Sequence, residues 1–309
     1  MPLNTISAIA IDWGSSNFRA YLLNESYQTI TTIKMNEGIK KHHHQAYAPI
    51  LQRLLQPWIK EITTQSVPIF MAGMIGSNLG WHETPYLACP LILEHLSKHL
   101  YTFDSPWHTP LHIVPGVKID SQQKMDIMRG EETLILGAHE LFPSTHYCLP
   151  GTHSKWATLE EDILMSFTTV ITGELYAILK EHSLLGFELP IQDYDEKWFY
   201  QGIETIKRNN KLLIELFSVR AKRILNQLPA NSAMSYLSGL LIGDEINSML
   251  MKTDPLYQRI ALVTSAKAIT MRYRNAFQLL EVPIQILDGE QAFIKGMTTL
   301  IRRRKQNEN

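Results

Sequence analysis

The chain begins with short apolar runs separated by polar turns. The runs lie at residues 6–11, 18–23, 29–35 and 67–71. Their length, and the isoleucines of the first run, predict β-strands. Between the last two runs, residues 47–62 carry apolar side chains at three- and four-residue spacing, which predicts one amphipathic helix. We therefore expect the chain to begin with mixed α/β structure.

The same alternation returns from residue 111 to residue 301. Strands are predicted at 111–116, 147–159 (with a turn at 150–152), 163–171, 260–264 and 284–287. Helices are predicted at 130–141, from 172, through 196–252 with breaks near 209–210 and 229, at 267–280 and at 290–301. The basic run 302–305 is expected to be a solvated tail. The whole pattern belongs to the α/β class.

Two strand–turn–strand units with a glycine in the turn, one in each half, divide the chain. No linker rich in Pro, Gly or Ser separates the halves. We place the boundary before the second unit, which gives an N-terminal lobe of residues 1–145 and a C-terminal lobe of residues 146–309. The repeated unit indicates an internal duplication.

Composition excludes several classes of protein. The 309 residues include 29 Lys and Arg against 30 Asp and Glu, so no global charge attracts nucleic acid or an anionic membrane. The two cysteines, Cys89 and Cys148, exclude a disulfide scaffold and fit a reducing compartment. No apolar stretch reaches the ~18 residues of a membrane helix, and residues 1–11 lack the features of a signal peptide. We expect a cytoplasmic protein.

The first candidate for chemistry is the turn Asp12-x-Gly14-x-Ser16. Glycine lets the backbone approach a phosphate closely. The amides and hydroxyls near it, Ser15 included, donate to phosphate oxygens, and Asp12 can hold magnesium directly or through water. The alternative is an ordinary hairpin turn, because Asp, Gly and Ser are common turn residues.

The second candidate is the segment 150–155, with Gly151 and Thr152 in its turn and Lys155 close by. Its alternative is a hairpin that carries an exposed lysine. Two such turns, one in each lobe, can clamp the triphosphate of ATP.

Consecutive histidines at 42–44 more often mark a polar loop than a metal site.

Six segments carry a resemblance to a known family. They are IAIDWGSSNFRAYLL, MAGMIGSNLGW, MRGEETLILGA, LPGTHSKW, TVITGELYAILKEHSLLG and YLSGLLIG. Together, in order from about residue 6 to residue 300, they resemble the 2-dehydro-3-deoxygalactonokinases, a branch of the sugar-kinase/actin/Hsp70 superfamily. The resemblance implies a two-lobe actin-like ATPase (ribonuclease H-like) fold with a nucleotide cleft between the lobes. It also implies ATP- and Mg²⁺-dependent phosphorylation of the 6-hydroxyl of 2-dehydro-3-deoxy-D-galactonate, in galactonate catabolism.

The resemblance assigns roles to the two turns and to the helix after residue 130. Asp12, with Gly14 and Ser16, matches the first phosphate motif, and Gly151 with Thr152 matches the second. Glu131 lies where related sugar kinases place an acidic catalytic residue at the start of a lobe-connecting helix. A carboxylate there can accept the hydroxyl proton.

Two roles near Glu131 stay open in the sequence. Glu131 and Glu132 are adjacent, so sequence cannot decide which of them is the base and which hydrogen-bonds the substrate. Both also suit a helix N-terminus without any catalytic role.

The resemblance also indicates where the sugar acid binds. The loop with Gly73, Gly76, Ser77 and Asn78 is expected to contact its hydroxyls, although the loop also suits a tight turn into Trp81. Arg129 is the candidate for its carboxylate, because a guanidinium binds planar anions bidentately. An inter-lobe salt bridge is the alternative for Arg129.

One segment departs from the family. Ala266 and Lys267 replace a glycine and a small hydroxyl in the expected adenosine loop, where the larger side chains would crowd the nucleotide or Lys267 would reach a phosphate. Gly289, between Asp288 and Glu290, still matches the family's Gly-acid pair. The departure keeps a second hypothesis open, a non-catalytic sugar-acid sensor or pseudokinase. The sequence leaves the substrate's stereochemistry and the oligomeric state open, a homo-oligomer included.

Overall fold

The structure is a computed structural model that describes residues 6–42, 46–251 and 259–308. His43 and His44 of the histidine run lie outside the described residues. The strands are β1 (Ile6–Trp13), β2 (Phe18–Asn24), β3 (Thr29–Met35), β4 (Ile69–Ala72), β5 (Tyr86–Ala88), β6 (Leu91–Ile92), β7 (Tyr101–Asp104), β8 (Pro110–Ile113), β9 (Gly116–Asp120), β10 (Met125–Met128), β11 (His146–Leu149), β12 (Ser154–Glu160), β13 (Ile163–Val170), β14 (Ile260–Val263) and β15 (Ile284–Leu287). The helices are α1 (Tyr47–Leu54), α2 (Ile59–Gln65), α3 (Glu131–Leu141), α4 (Thr172–His182), α5 (Glu196–Asn209), α6 (Leu212–Leu216), α7 (Ser218–Ile224), α8 (Ala233–Leu250), α9 (Lys267–Leu279) and α10 (Gly289–Glu308).

The chain forms two compact units that do not follow a single cut in the sequence. Unit 1 contains Met1–Pro143, Ala157–Phe167 and Leu287–Asn309, and unit 2 contains Ser144–Trp156 and Thr168–Ile286. This differs from the predicted division at 145/146 because α10 packs on α3. A Cβ on Gly137 of α3 would lie 1.8 Å from the carbonyl oxygen of Ala292, so only a glycine there permits this helix spacing.

Unit 1 is built on a six-stranded sheet with the order β3-β2-β1-β4-β8-β7. β1, β4 and β8 are parallel, while β2 and β3 pair antiparallel as a meander from β1. β1 presents Ile9 and Ile11 to a buried cluster that also contains Leu51 and Leu54 of α1. A smaller sheet of order β10-β9-β5 also lies wholly in this unit, as does β6, which pairs with β13.

Unit 2 contains the parallel pair β11 and β14 and most of the helices. The strands β11 and β14 belong to a sheet of order β15-β14-β11-β12-β13-β6, in which β12 and β13 lie partly in each unit. α5 packs tightly on α8. A Cβ on Gly239 would lie only 2.0 Å from the carbonyl oxygen of Phe199, so a glycine is needed at this position. Among the described residues, no helix has the length and apolar content needed to cross a lipid bilayer.

The predicted helix at 47–62 is wrong as a single element. α1 ends at Leu54, a 3₁₀ turn follows at Gln56–Trp58, and α2 begins at Ile59. Pro57 explains the break, because proline has no N–H to donate and its ring collides with the carbonyl four residues earlier. The apolar spacing continues through the break because both helices cover the same core.

Two further predictions need correction. The basic run 302–305 is not a tail, because α10 continues to Glu308. Arg303 pairs with Glu94 at 2.7 Å there, and Lys305 Nζ donates to Ser7 Oγ at 3.1 Å. No element is predicted between the strand at 111–116 and the helix from residue 130, but the structure has β9 and β10 there, which are too short to show a clear period of two in the sequence.

Candidate active site

The carboxyl ends of parallel strands in unit 1 bring three distant segments together. Asp12 lies at the end of β1, Gly73 follows β4, and Gly130 precedes α3. Gly73 has φ +95°, and a Cβ there would lie 2.9 Å from the carbonyl oxygen of Trp13. Gly130 has φ +107°, and a Cβ there would lie 3.1 Å from the Cα of Gly73. These glycines let the backbones touch, which places Asp12 beside the start of α3.

The Asp12 carboxylate is held by one cation and stays partly open to solvent. Oδ2 lies 2.9 Å from Nη1 of Arg19, which is its direct partner across β1 and β2. The Asp12 side chain is 28% exposed. Desolvation raises the pKa of Asp12, the Arg19 guanidinium opposes that rise, and the Glu131 carboxylate adds to it. Asp12 and Glu131 therefore lie close enough for their charges to interact.

In the turn at residues 14–17, the backbone amides point to one side. The carbonyls of residues 14–16 accept hydrogen bonds of 3.0–3.2 Å from the backbone amides of residues 38–40. Because N–H and C=O point in opposite directions across a trans peptide, the amides of residues 15–17 point away from residues 38–40. A row of amides in this orientation suits an anion. The phosphate-binding role of Gly14, Ser15 and Ser16 remains a prediction.

The adjacent carboxylates Glu131 and Glu132 occupy different environments. Glu132 is fully buried, and its two carboxylate oxygens lie 2.9 and 2.7 Å from the backbone nitrogen of Gly130. Desolvation, followed by the charge of Glu131, raises the pKa of Glu132 to about 8. Glu131 is partly exposed and accepts a hydrogen bond from the backbone N–H of Arg129 at 3.1 Å. The sequence could not separate the two; the structure favours Glu132 as a support of the Gly130 loop rather than a contact to substrate.

We expect the stability of the protein to report the titration of Glu132. Its pKa is higher in the folded protein (about 8) than the ordinary value of 4.5. The stability of the wild type relative to Glu132→Gln should therefore fall as pH rises from 4.5 to 8, by at most about 5 kcal/mol. Urea unfolding at several pH values measures this, with Glu140→Gln on the same helix as the control. Parallel pH profiles of the wild type and Glu132→Gln would contradict it.

Arg129 is fixed by its neighbours in unit 1. Its guanidinium donates to the hydroxyl of Thr84 and, at 2.8 Å, to the carbonyl of the same residue. Its Cζ lies 4.2 Å from the centre of the Tyr86 ring, and Nε lies 3.4 Å from the Tyr86 hydroxyl. A Cβ on Gly76 would approach Nη1 of Arg129 to 3.0 Å. Thr84 and Tyr86 use three of the five guanidinium N–H groups, so the predicted carboxylate contact stays chemically open.

The predicted substrate loop divides into two parts. Gly73 and Gly76 lie against Asp12 and Arg129, as described above. The Ser77 hydroxyl donates to the carbonyl of Met74 at 2.7 Å and accepts from the amide of Leu79 at 3.2 Å, so the turn itself uses it. Asn78 is exposed. The tight-turn alternative thus describes Ser77 better than substrate contact does.

Unit 2 contains a cavity of about 350 Å³ beside the second turn. Its lining residues come from the turn, the start of α4, α8 and α9: Pro150, Gly151, Thr152, Thr172, Gly173, Tyr176, Ser238, Leu241, Ile242, Ala266, Ile269, Arg272 and Tyr273. The turn packs closely on α4. A Cβ on Gly173 would lie 2.4 Å from the carbonyl oxygen of Gly151, so a glycine is needed at this position. The structure therefore brings Gly151, Thr152 and Ala266 to one cavity.

Arg272 is a cavity residue that the sequence did not reveal. Within the described part of the chain, its Nε is buried and has no hydrogen-bond partner. Its Cζ lies 5.5 Å from the centre of the Tyr194 ring. A buried N–H without an acceptor is costly, so an acceptor supplied by a ligand would be favourable here.

A buried carboxylate, Glu245, supports the wall of the same cavity. It accepts hydrogen bonds from Trp156 Nε1 at 2.9 Å, the Tyr273 hydroxyl at 2.7 Å and the Thr172 hydroxyl. Burial raises its pKa, and these hydrogen bonds oppose that rise. Glu245 thus joins β12, α4 and α9. Sequence reasoning missed it because its partners are distant along the chain.

Three other positions differ in their surroundings from what the sequence indicated. Lys155 is buried rather than exposed, and its Nζ donates to the carbonyl of His153 at 3.1 Å. Lys267 is exposed at the start of α9 and does not line the cavity. Gly289 is the first residue of α10, in unit 1, where Asp288 accepts a hydrogen bond from the amide of Gln291 as a helix cap. The cofactor roles of Lys267 and Gly289 remain predictions.

The donor set of unit 1 fits a magnesium ion that also binds phosphate. Among the described residues, no group of three His, Cys, Asp or Glu side chains is close enough to hold a metal ion. Mg²⁺ in phosphoryl-transfer sites typically uses one or two carboxylates with phosphate oxygens and water. The partly exposed Asp12 carboxylate suits such a site.

Comparisons with solved structures identify the fold. A solved protein from Sinorhizobium meliloti, named as a member of the 2-dehydro-3-deoxygalactonokinases, superposes with a TM-score of 0.87. It is 29% identical, and the match covers 96% of this chain and 98% of that one. An activator of 2-hydroxyisocaproyl-CoA dehydratase from Clostridium difficile is 9% identical with a TM-score of 0.52, over 97% of both chains. The fold is thus the actin-like ATPase fold.

Sequence comparisons identify the family. The 2-dehydro-3-deoxygalactonokinase of Escherichia coli (strain K12) is 35% identical over 297 residues, which is 96% of this chain and 98% of that protein. A protein of Rhizobium meliloti (strain 1021) named for the same activity is 30% identical, over 95% of this chain and 96% of its own length. The family model for 2-keto-3-deoxy-galactonokinase matches residues 12–300. The chain therefore belongs to the 2-keto-3-deoxy-galactonokinase family.

Proposed function

We propose that this chain is a cytoplasmic kinase that transfers the γ-phosphoryl group of ATP to the 6-hydroxyl of 2-dehydro-3-deoxy-D-galactonate, in galactonate catabolism. The observation that carries the proposal is the position of Asp12 beside the start of α3, where the Glu131 carboxylate raises the pKa of Asp12. Family membership over residues 12–300 gives the activity and the substrate class.

Each site residue of unit 1 has a definite task in this proposal. Glu131 accepts the proton of the attacking hydroxyl, and Arg129 binds the carboxylate of the sugar acid. Gly76 keeps the substrate loop close to Arg129, and Gly73 keeps it close to Gly130 at the start of α3. The amides of residues 15–17 bind phosphate oxygens. Mg²⁺ held by Asp12 would neutralise phosphate charge, which is the main electrostatic demand of phosphoryl transfer.

Unit 2 supplies the nucleotide site in this proposal. A cavity of about 350 Å³ is in the range of small-molecule sites, and its apolar wall of Leu241, Ile242 and Ile269 suits a nucleobase. The turn with Gly151 and Thr152 opens onto the same cavity and suits phosphate. The buried Nε of Arg272 offers a hydrogen bond to an acceptor on the nucleoside.

A coupled ATP-consumption assay across 2-keto-3-deoxy sugar acids tests the proposal. We expect 2-dehydro-3-deoxy-D-galactonate to give the highest kcat/KM, with its C4 epimer as the matched comparison. ATP binding by calorimetry without turnover on any acid would favour the sensor hypothesis. Absence of ATP binding would exclude the kinase.

The Ala266 position allows a separate prediction about nucleotide affinity. Ala266 lines the cavity, so Ala266→Gly should relieve crowding by one methyl group and lower the KM for ATP about 5-fold, with kcat nearly unchanged. Lys267→Thr is the matched control, because Lys267 does not line the cavity. Steady-state kinetics with varied ATP measures both. A raised KM in Lys267→Thr would instead make Lys267 a phosphate ligand, and an unchanged KM in Ala266→Gly would contradict the crowding.

A further inference from the structure

Helices α6 and α7 carry large apolar side chains on two opposite sides. The inner side chains, Leu212, Leu216 and Val219, pack into a buried cluster with residues of α8. The outer side chains are more than three-fifths exposed: Leu213, Ile214, Phe217, Ile224 and Leu225. A helix that is apolar on both sides is normally covered on both sides. The exposed apolar outer side of α6 and α7 is therefore unusual for a monomer.

Three of the outer residues form a continuous stripe. Phe217 has helical backbone angles and joins α6 to α7. At about 100° per residue, Leu213, Phe217 and Ile224 fall within about 40° of one another around the helix axis. Arg220 lies on the same side and turns its Nη1 to the carbonyl of Leu184 at 3.0 Å, which leaves its aliphatic stem on the stripe.

A neighbouring segment extends the stripe into a wider surface, the outer patch. Leu184 is 60% exposed and Phe187 is 55% exposed. Arg220 bonds to the Leu184 carbonyl, and Arg223 Nη2 bonds to the Phe187 carbonyl at 3.3 Å, so both residues are held beside α7. The seven apolar side chains of the patch together expose roughly 800 Å², about what one partner contributes to a stable protein interface. Patches of this size mark interaction sites.

We propose that the outer patch binds a second copy of this chain about a two-fold axis. The spacing of the stripe is self-complementary in an antiparallel pair of helices whose axis passes between residues 218 and 219. That arrangement places Leu213 against the partner's Ile224 and Phe217 against the partner's Arg220. The first contact is apolar, and the second sets a guanidinium against an aromatic face. Each contact occurs twice, as a two-fold interface requires.

Sedimentation equilibrium of the full chain tests this pairing. Wild type at tens of micromolar should have twice the 35.4 kDa mass of the chain. Leu213→Lys alone and Ile224→Glu alone should each weaken self-association about 100-fold or more, because each buries an unpaired charge. The double variant should recover the dimer, because the ammonium group introduced at position 213 then meets the carboxylate introduced at position 224 of the other copy. Met125→Glu, at an exposed apolar position of unit 1, is the control and should leave the dimer intact.

Circular dichroism should show all four variants folded, because each substitution is at an exposed side chain. A wild-type monomer at these concentrations would overturn the proposal. A dimer that both single variants preserve would overturn it as well, since the interface would then lie elsewhere. Failure of the double variant to recover the dimer would contradict the antiparallel pairing.

Discussion

Asp12→Asn should lower kcat by well over 10-fold while the protein keeps its fold. The substitution keeps the size of the side chain but removes the negative charge that would hold Mg²⁺ and that pairs with Arg19 at 2.9 Å. Ten-fold in kcat corresponds to about 1.4 kcal/mol of lost transition-state stabilisation. The dependence of the rate on Mg²⁺ concentration should also shift to higher concentrations.

Asp120→Asn is the matched control for this substitution. Asp120 also pairs with a cation, Lys118, at 2.8 Å, but its side chain is exposed at the end of β9. Steady-state kinetics over a range of Mg²⁺ concentrations should therefore show wild-type behaviour for Asp120→Asn. If Asp12→Asn kept both the wild-type rate and the wild-type Mg²⁺ dependence, its proposed role would be excluded.

The second large effect concerns the general base. Glu131→Gln should lose on the order of 10²–10⁴ in kcat, with binding of the sugar acid largely kept. The amide of glutamine cannot accept the hydroxyl proton, but it can still accept the hydrogen bond that the Arg129 amide gives to Glu131. Single-turnover kinetics for the chemical step, and calorimetry for the sugar acid, separate the two quantities.

The neighbouring Glu132 provides the comparison. Its carboxylate is buried on the Gly130 amide, so Glu132→Gln should change stability and its pH dependence more than kcat. A large loss of kcat in Glu132→Gln, together with none in Glu131→Gln, would reverse the assignment. Loss of sugar-acid binding in Glu131→Gln without loss of the chemical step would make Glu131 a substrate ligand instead.

Much of the site could be predicted from local sequence. The Asp12 turn and the Gly151 turn each lie within a few residues, so the pattern of Asp, Gly and Ser or Thr between strands was visible directly. The helix at 131–141 was also predicted, with its acidic first turn. The break at Pro57 was equally visible in the sequence, but the continuous apolar spacing concealed it.

Other parts of the site depend on the tertiary fold and had no local signal. Thr84 and Tyr86 hold Arg129 from more than forty residues away. Glu245 joins side chains from three elements, and Arg272 reaches the cavity only because α9 packs beside the Gly151 turn. The different environments of Glu131 and Glu132 are likewise set by packing at Gly130 and Gly73.

The position of the phosphate on the product is the decisive test of the proposed reaction. The enzyme, ATP, Mg²⁺ and 2-dehydro-3-deoxy-D-galactonate are incubated, and a ³¹P–¹H correlation spectrum of the product is recorded. We expect one phosphate ester whose phosphorus couples to the two protons on carbon 6, formed with an equal amount of ADP. A phosphate on another hydroxyl, or ADP formation without any phosphate ester, would contradict it.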